Sequence, residues 1–558
     1  MLTLPDICPR SLKDRITDSG SVGPGSIPSE GTINQLLTNN LFMKKLLFAA
    51  FLLPLSFAAF AQEEQPAAQE EQAVEQKKEE KEMKKGWTFG VLPTVTYSVD
   101  NGFQAGAFGD VYYYGDGSTY PDPLHKISWE VSYFTHSHRM RFYLAYDSKY
   151  LIPKMRVNAS VTYVTDPLYS FWGFNGPASV QDYDIWSNRN LTIDRYNEQQ
   201  QPTAYNVNYY GMSRNMLRVL ANFQGQIIPH LNWAAGINFW WWTLGGMKDN
   251  GVIIDKQTKE KRFYDTELTL FQKYLDLQAI KPEEAKGGYS LEMNAGLVFD
   301  TRDIEAAPNK GFWAEAYLNG APYAGNPQTG LYSPYLKACV YFRHYVSIPI
   351  PIPAGNPVFA YRLAWQQTIA GETPFYMIQN VPLLVQRNMI SEGFGSSNTI
   401  RGIRENRILA DGFAWANIEL RVKLVSFKLF NQYFYIALNP FFDAGIITKP
   451  YRADKLQGVV KDDRLVTGPD YASYVNYLQT HPTRSNQNDL ARFNSTHDAN
   501  YDGTIYDAAN ISRVVMSGGG GLKIAMNQNF IVSAEFAKCL TKGMDAGLWI
   551  GIGINYQF

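Results

Sequence analysis

Two short motifs carry side chains whose types and spacing could form an ion pair between distant parts of the chain. The segment 391–407 reads SEGFGSSNTIRGIRENR and centres on Arg401, which is followed by a glycine. A second motif, FFDAG, centres on Asp443. A planar guanidinium can bind a carboxylate through two parallel hydrogen bonds, and an adjacent glycine permits close approach of the backbone. The two motifs therefore suggest that an Arg401–Asp443 pair fixes one segment against the other.

Asp443 lies in an alternating segment, which indicates the direction of its side chain. It shares parity with Asn439, whereas apolar residues occupy the intervening positions. A carboxylate on the inner face of a closed sheet needs a partner. Arg401 is one candidate. The alternative is that Arg401 is an exposed loop residue and that Arg421 or Lys423 neutralises Asp443.

The composition limits the elements that could position these side chains. The chain has 558 residues, a formal net charge of -1 and an aromatic content of 14%. The balanced charge excludes the basic footprint of a nucleic-acid-binding protein. A mean hydropathy of -0.27 argues against a bundle of transmembrane helices, which need apolar runs of about 20 residues. Abundant aromatic residues and glycines with little charge are typical of transmembrane β-barrels, in which alternate residues face lipid.

Alternation of apolar and polar residues is the main periodic signal from Trp87 onward. Between Leu548 and Phe558, for example, every second residue is apolar or aromatic. Sixteen such segments are predicted as strands, at approximately 88–98, 102–113, 126–135, 138–148, 154–164, 209–225, 230–243, 287–301, 311–320, 332–346, 357–369, 412–425, 432–447, 511–526, 529–540 and 545–557.

The lengths of the connections favour a membrane barrel over a large soluble β-protein. The long connections follow the fifth, seventh, eleventh and thirteenth segments, so all lie at one end of the predicted strands. Outer-membrane barrels have short periplasmic turns and long external loops. We therefore predict an all-β fold, a 16-stranded antiparallel transmembrane β-barrel with both termini in the periplasm. The connection between the eleventh and twelfth strands is long enough to fold back inside.

The sequence before the barrel is interpreted as three processing or spacer segments. Lys44 and Lys45 precede an apolar run that ends in a small-x-small pattern, as in a secretory signal peptide. We interpret residues 1–42 as a misassigned leader ahead of the true start at Met43, 43–61 as the signal peptide and 62–86 as a disordered periplasmic spacer rich in Glu, Gln and Lys. The barrel is assigned to 87–558.

The motifs, taken in order, resemble the BamA/TamA-type outer-membrane protein superfamily, the bacterial surface antigen barrels. Residues 400–402 are similar to its [VI]-R-G-[FY] loop motif, with Ile403 in place of the aromatic residue, and residues 441–445 to its F-x-D-x-G motif. The resemblance implies a 16-stranded barrel whose loop between strands 11 and 12 folds inward. The implied loop-lock residues are Ile400, Arg401, Gly402, Glu419, Phe441, Asp443 and Gly445.

The resemblance also implies a function in outer-membrane protein assembly or translocation, with the first and last strands forming a lateral gate. The expected partners are outer-membrane lipids, assembly lipoproteins and client barrels, with no cofactor and no enzymatic activity. We expect a member without periplasmic POTRA modules. The alternative is a transport pore or structural barrel that kept the fold without the assembly activity. Ile554, Tyr556 and Phe558 form the expected C-terminal assembly signal.

Several other features are interpreted as structural. Cys339 and Cys539 fall on predicted strands five apart, too distant to form a disulfide. Residues 136–138, His-Ser-His, are interpreted as a solvated turn, because no carboxylate cluster accompanies them to complete a metal site. A rim active site using them with Asp166 and Asp184 is not expected. Residues 518–521 are four glycines without the Lys-Ser/Thr of a phosphate-binding loop, and 240–242, three tryptophans, are predicted to form an interfacial girdle.

Overall fold

A computed structural model describes most of the chain from residue 85 onward. The predicted leader, signal peptide and most of the spacer lie outside the described residues, and so does the end of the chain. The described residues are 85–120, 122–174, 176–178, 192–196, 202–205, 210–246, 252–254, 258–259, 261–265, 269–276, 279–304, 307–384, 389–429, 432–452, 459–461, 464–466, 511–526, 530–542, 544 and 547–554.

The described residues form a closed barrel of sixteen antiparallel strands, in which each strand pairs with its neighbours in sequence and the first pairs with the last. The strands are β1 Trp87–Ser98, β2 Gly102–Tyr113, β3 His125–Phe134, β4 Met140–Ile152, β5 Met155–Ser170, β6 Gly211–Ile228, β7 Leu231–Gly245, β8 Gly287–Asp300, β9 Gly311–Asn326, β10 Tyr335–Ser347, β11 Val358–Gly371, β12 Gly412–Leu429, β13 Gln432–Leu438 and Phe441–Lys449, β14 Val515–Met526, β15 Phe530–Cys539 and β16 Leu548–Ile554.

The predicted fold class is therefore confirmed, including the number of strands. The differences are at strand ends: β9, predicted to stop at residue 320, continues to Asn326. β13 is interrupted at Asn439 and Pro440, and its two parts pair with the same neighbours, β12 and β14. Proline has no backbone N–H to donate to the ladder, which explains a break at this position.

Burial follows the alternation of the sequence around the barrel. In β10 the residues at odd positions from Tyr335 to Tyr345 are buried, and those at even positions are partly exposed. Exposed large apolar side chains recur on the outward positions of other strands, such as Leu144, Leu297 and Leu318, each about half exposed. The polar and charged residues thus line the interior while a belt of apolar side chains covers the outside, as a lipid environment requires.

Short turns join the strands at one end of the barrel, and the long connections lie at the other. The described parts of the connections form short elements of their own. They are helices α1 Leu270–Asp276 and α2 Phe375–Ile378, single 3-10 turns at Gly176–Ala178 and Pro282–Glu284, and short strands at Thr192–Tyr196, Pro202–Tyr205, Val252–Ile254, Lys261–Asp265, Leu331–Tyr332, Asn380–Leu384, Met389–Glu392, Val459–Lys461 and Arg464–Val466. Within the described residues, no helix is long and apolar enough to cross a membrane.

Aromatic side chains from the four longest connections meet at the long-loop end. Phe171 lies 5.2 Å from Tyr274 of α1 and 5.6 Å from Phe375 of α2, measured between ring centroids. Phe174 lies 4.8 Å from Tyr451. All five side chains are buried, so we refer to them as the aromatic cap. Edge-to-face contacts of this kind stabilise the cap beyond its buried area alone.

Candidate functional site

Arg401 and Asp443, which are 42 residues apart, form a fully buried ion pair. The Arg401 side chain donates from Nε to Oδ2 of Asp443 at 2.9 Å and from a terminal nitrogen to Oδ1 at 2.9 Å. The backbone N–H of Arg401 donates to the same carboxylate at 3.0 Å. Three hydrogen bonds to one carboxylate fix both the orientation of the guanidinium and the path of the backbone. Asp443 is therefore paired with Arg401 and not with Arg421 or Lys423.

Glu419 of β12 joins this pair to further charges. Its Oε2 accepts from Arg401 at 2.9 Å, and its Oε1 accepts from Arg421 at 3.1 Å and from Lys523 of β14 at 2.7 Å. Arg401 also lies 3.5 Å from Glu535 of β15. Buried charges are tolerated only when they are paired and hydrogen-bonded, and this arrangement balances three cations against three carboxylates. We call these residues the Arg401 network: Arg401, Glu419, Arg421, Asp443, Lys523 and Glu535.

Phe441, Gly402 and Gly445 allow Arg401 and the loop backbone to lie close to β13. The guanidinium carbon of Arg401 lies 3.4 Å from the centroid of the Phe441 ring, as in a cation–π contact. A Cβ on Gly445 would lie 2.6 Å from Ile400 and would overlap Phe394. Gly402 has a φ of +90°, and a Cβ there would lie 3.0 Å from Ser517. These glycines are thus required by close contact and, at Gly402, by a positive φ.

The isoleucines on either side of the Arg-Gly pair are packed in the core. Ile400 and Ile403 are fully buried in one apolar cluster with Phe394 and Phe413. The Phe394 and Phe413 rings stack with centroids 4.8 Å apart. Ile403, which replaces the aromatic residue of the resembled motif, therefore still supplies an apolar anchor for the segment.

A second buried network, which the sequence analysis missed, connects the same loop to β5, to β6 and to Arg139 in the turn before β4. Arg139 donates to Asp166 at 2.9 Å, and Arg214 donates to Asp166 at 3.2 Å. Both arginines also bind Glu392 of the loop. Glu405 of the loop lies 3.4 Å from Arg139. Asp166 thus has a role in an ion-pair network, and it gives no support to a rim active site.

Burial and the neighbouring Glu392 carboxylate raise the pKa of Glu405, against the opposing effect of Arg139. Glu405 also accepts from Asn101 in the turn between β1 and β2, at 2.6 Å. The neighbouring Arg404 lies 3.6 Å from Asp100 in the same turn. The loop therefore contacts the turn beside the β1–β16 seam as well as strands elsewhere in the barrel.

The seam between β1 and β16 is paired over a short distance in the described residues. The register contains Tyr97 opposite Ile552 and Ser98 opposite Gly551, whereas β1 pairs with β2 along its whole length. The first half of β1 is strongly exposed, with Phe89 at 81%. Pro93, near the middle of β1, has no N–H for a ladder and suits an edge strand.

The C-terminal signal residues are placed only in part. The backbone of Ile554 pairs with Val532 of β15, and Tyr556 and Phe558 lie outside the described residues. Asp184 also lies outside them. Within the described residues, no group of three or more His, Cys, Asp or Glu side chains is arranged to hold a metal ion. Cys339 and Cys539 are free and buried, as predicted.

The predicted tryptophan girdle is wrong for two of its three residues. Trp240 and Trp242 are each 1% exposed and stack on each other inside the barrel, whereas Trp241 is 54% exposed. Trp240 donates to Glu292 at 2.7 Å. Successive residues of a strand point to opposite faces of the sheet. Trp241 therefore faces lipid, and Trp240 and Trp242 face the interior.

The barrel resembles those of BamA and CdiB. BamA from Haemophilus ducreyi lacking POTRA domains 1-3 matches with a TM-score of 0.43 and 12% identity, over 84% of this chain and 70% of that chain. CdiB from Escherichia coli matches with a TM-score of 0.45 and 9% identity, over 83% and 62%. CdiB from Acinetobacter baumannii matches with a TM-score of 0.38 and 10% identity, over 84% and 60%.

The present chain thus spans less than two thirds of either CdiB chain. No family model matches the sequence, and no curated protein matches it. At these identities the likeness concerns the fold.

Proposed function

We propose that this protein is an outer-membrane component of protein assembly or translocation that exchanges strand pairing at its β1–β16 seam. The observation that carries the proposal is the exposed first half of β1, whose pairing with β16 within the described residues is limited to Tyr97 and Ser98. An unpaired strand edge presents N–H and C=O groups to which another extended chain can add. An incoming strand of a client barrel is the class of ligand that this edge fits.

Buried contacts made by the long connections favour the seam, rather than the lumen, as the place where the protein acts. The aromatic cap lies at the long-loop end, and the loop between β11 and β12 makes buried contacts with several strands. A polypeptide passing through the lumen would have to displace both. Within the described residues, opening the seam breaks a ladder of two residue pairs.

The loop between β11 and β12 is proposed to act as an internal brace. Through Arg401 it contacts β12, β13 and β15, and through Glu392 it contacts β6 and Arg139, the residue just before β4. Paired charges on two sets of strands can hold the barrel in one shape while the seam opens. In this proposal Ile400, Gly402, Phe441 and Gly445 position Arg401 against Asp443.

We further propose that the short-turn end faces the periplasm, so that β1 begins there. The exposed apolar belt supports contact with lipid, and Ile554, Tyr556 and Phe558 serve as the assembly signal of the chain itself. Assembly lipoproteins and client barrels are the proposed partners, and the signal peptide at 43–61 is the proposed route of export.

A pair of engineered disulfides tests the seam. Tyr97→Cys combined with Ile552→Cys would close it, because these residues are directly opposed across β1 and β16. Opposed residues in an antiparallel pair have Cα atoms about 4.5–5.5 Å apart, within the disulfide range. Tyr97→Cys with Phe103→Cys is the matched control, since that pair joins β1 to β2.

The readout is insertion of a client barrel into liposomes that contain the oxidised protein, with reduction as an internal control. We expect the seam disulfide to abolish insertion reversibly and the β1–β2 disulfide to leave it intact. Full activity with the seam closed would contradict the proposal and favour a transport pore or structural barrel.

A further inference from the structure

A small cavity opens near the short-turn end of the barrel, between the ends of β11 to β14. Its volume is about 40 Å³, and Arg421, Lys423, Tyr435, Asn439 and Lys523 are among the residues that line it. One water needs roughly 10–15 Å³ measured in this way, so the cavity has room for a group of a few heavy atoms.

The lining of the cavity carries three cations and no carboxylate. Arg421 and Lys523 share a single oxygen of Glu419, at 3.1 and 2.7 Å. The ammonium of Lys423 lies 5.1 Å from the centroid of the Tyr435 ring, and among the described residues no carboxylate is within ion-pair distance of it. Because the Arg401 network already balances Arg421 and Lys523, Lys423 is the cation in excess at the cavity.

We propose that this cavity binds a compact oxyanion, a phosphate or carboxylate group. Such an anion would neutralise Lys423 and accept charge-assisted hydrogen bonds from Arg421 and Lys523. Two further polar side chains, Tyr435 and Asn439, stand at the wall. Because cations in a partly desolvated site are stabilised by pairing, the bound anion would supply the missing partner.

Occupancy of the cavity would also affect the Arg401 network. Glu419 binds Arg421 and Lys523 through one oxygen and Arg401 through the other. A bound anion would compete with Glu419 for Arg421 and Lys523. Glu419 would then interact more strongly with Arg401. The site is therefore coupled to the loop through one carboxylate, and it goes beyond the proposed activity at the seam.

Binding is tested with inorganic phosphate by isothermal titration of the purified, folded barrel in a zwitterionic detergent. Sodium chloride at matched ionic strength corrects for general screening. Lys423→Gln removes the cation without breaking an ion pair of the Arg401 network. Lys428→Gln is the control, because Lys428 is an exposed lysine on the same strand that does not line the cavity.

We expect saturable phosphate binding to the native protein and to Lys428→Gln, and a loss of about tenfold or more in affinity for Lys423→Gln. The proposal is overturned if the native protein shows no saturable binding, or if Lys423→Gln binds as tightly as Lys428→Gln. Heat-modifiable migration of each variant confirms that the barrel is folded.

A second arm distinguishes a free anion from a lipid headgroup. The barrel is placed in nanodiscs of phosphatidylcholine alone or with phosphatidylglycerol, and the phosphate titration is repeated. Weaker apparent phosphate affinity with phosphatidylglycerol assigns the site to a lipid phosphate. Equal affinity assigns it to a soluble oxyanion.

Discussion

Removing the Asp443 carboxylate should release the loop between β11 and β12 from one side of the barrel. In Asp443→Ala, Arg401 loses three hydrogen bonds, two from its side chain and one from its backbone, and keeps Glu419 as its near partner. Breaking a buried pair by removing one partner costs about 3–5 kcal/mol. Since about 1.4 kcal/mol corresponds to a factor of ten, the open population of the loop should rise by roughly two to three and a half orders of magnitude.

Limited trypsin digestion of the folded barrel measures this opening. Arg407 is 1% exposed, so cleavage after it requires the loop to leave its buried position. Proteolysis follows the population of the open form when opening and closing are fast relative to cleavage. We expect Asp443→Ala to be cut after Arg407 much faster than the native protein, with the barrel strands intact.

The surface pair of Asp122 and Lys149 provides the matched control. Their side chains are 47% and 43% exposed and 2.9 Å apart, so Asp122→Ala should cost at most about 1 kcal/mol and leave loop cleavage unchanged. Arg401→Ala should resemble Asp443→Ala, and the double variant should be close to either single variant because they share one interaction. Equal cleavage of native protein and Asp443→Ala, or fully additive effects, would refute the reasoning.

Three further predictions concern backbone strain, topology and export. Gly402→Ala should destabilise the barrel more than Gly330→Ala in denaturant unfolding: both glycines have positive φ, but only at Gly402 would a Cβ meet neighbouring atoms. Equal losses would show that packing at Gly402 is unimportant. An epitope inserted within 467–500 should bind antibody on intact cells, whereas one beside Lys154 should not, and the reverse labelling would invert the proposed orientation. The mature chain should begin at Gln62 by N-terminal sequencing, and recovery of residues 1–42 would show that the assigned start is wrong.

The strands were predictable from the sequence because each carries its own local signal. A period of two with one apolar face identifies a strand such as β10 without knowledge of its neighbours. The same signal was sufficient for the tryptophans: Trp240 and Trp242 share a face with Asn238, which is also buried, so strict use of parity would have placed them inside. The aromatic character of residues 240–242 and their place near the end of the strand were by themselves misleading, because they suggested an interfacial girdle.

The contacts between loop and barrel were predictable only where a motif drew attention to them. Arg401 and Asp443 stand beside glycines whose spacing resembles a known pattern. Glu392 and Arg139 are 253 residues apart, and nothing in the residues around either one indicates the other as its partner. Such a pair depends on where the closed barrel brings two connections together, which periodicity does not determine.

The exposed edge of β1 carries the central claim, and site-specific photo-crosslinking tests it most directly. A photoreactive amino acid at Val91 of β1 is compared with one at Val161 of β5, since the native side chains are 55% and 43% exposed. Within the described residues, β5 pairs with both neighbours along most of its length, whereas β1 pairs with β16 at two positions. If client strands add to this edge, Val91, but not Val161, should crosslink to polypeptide in the outer membrane. Crosslinking of both positions to lipid alone, or equal crosslinking of both positions to polypeptide, would contradict the proposal.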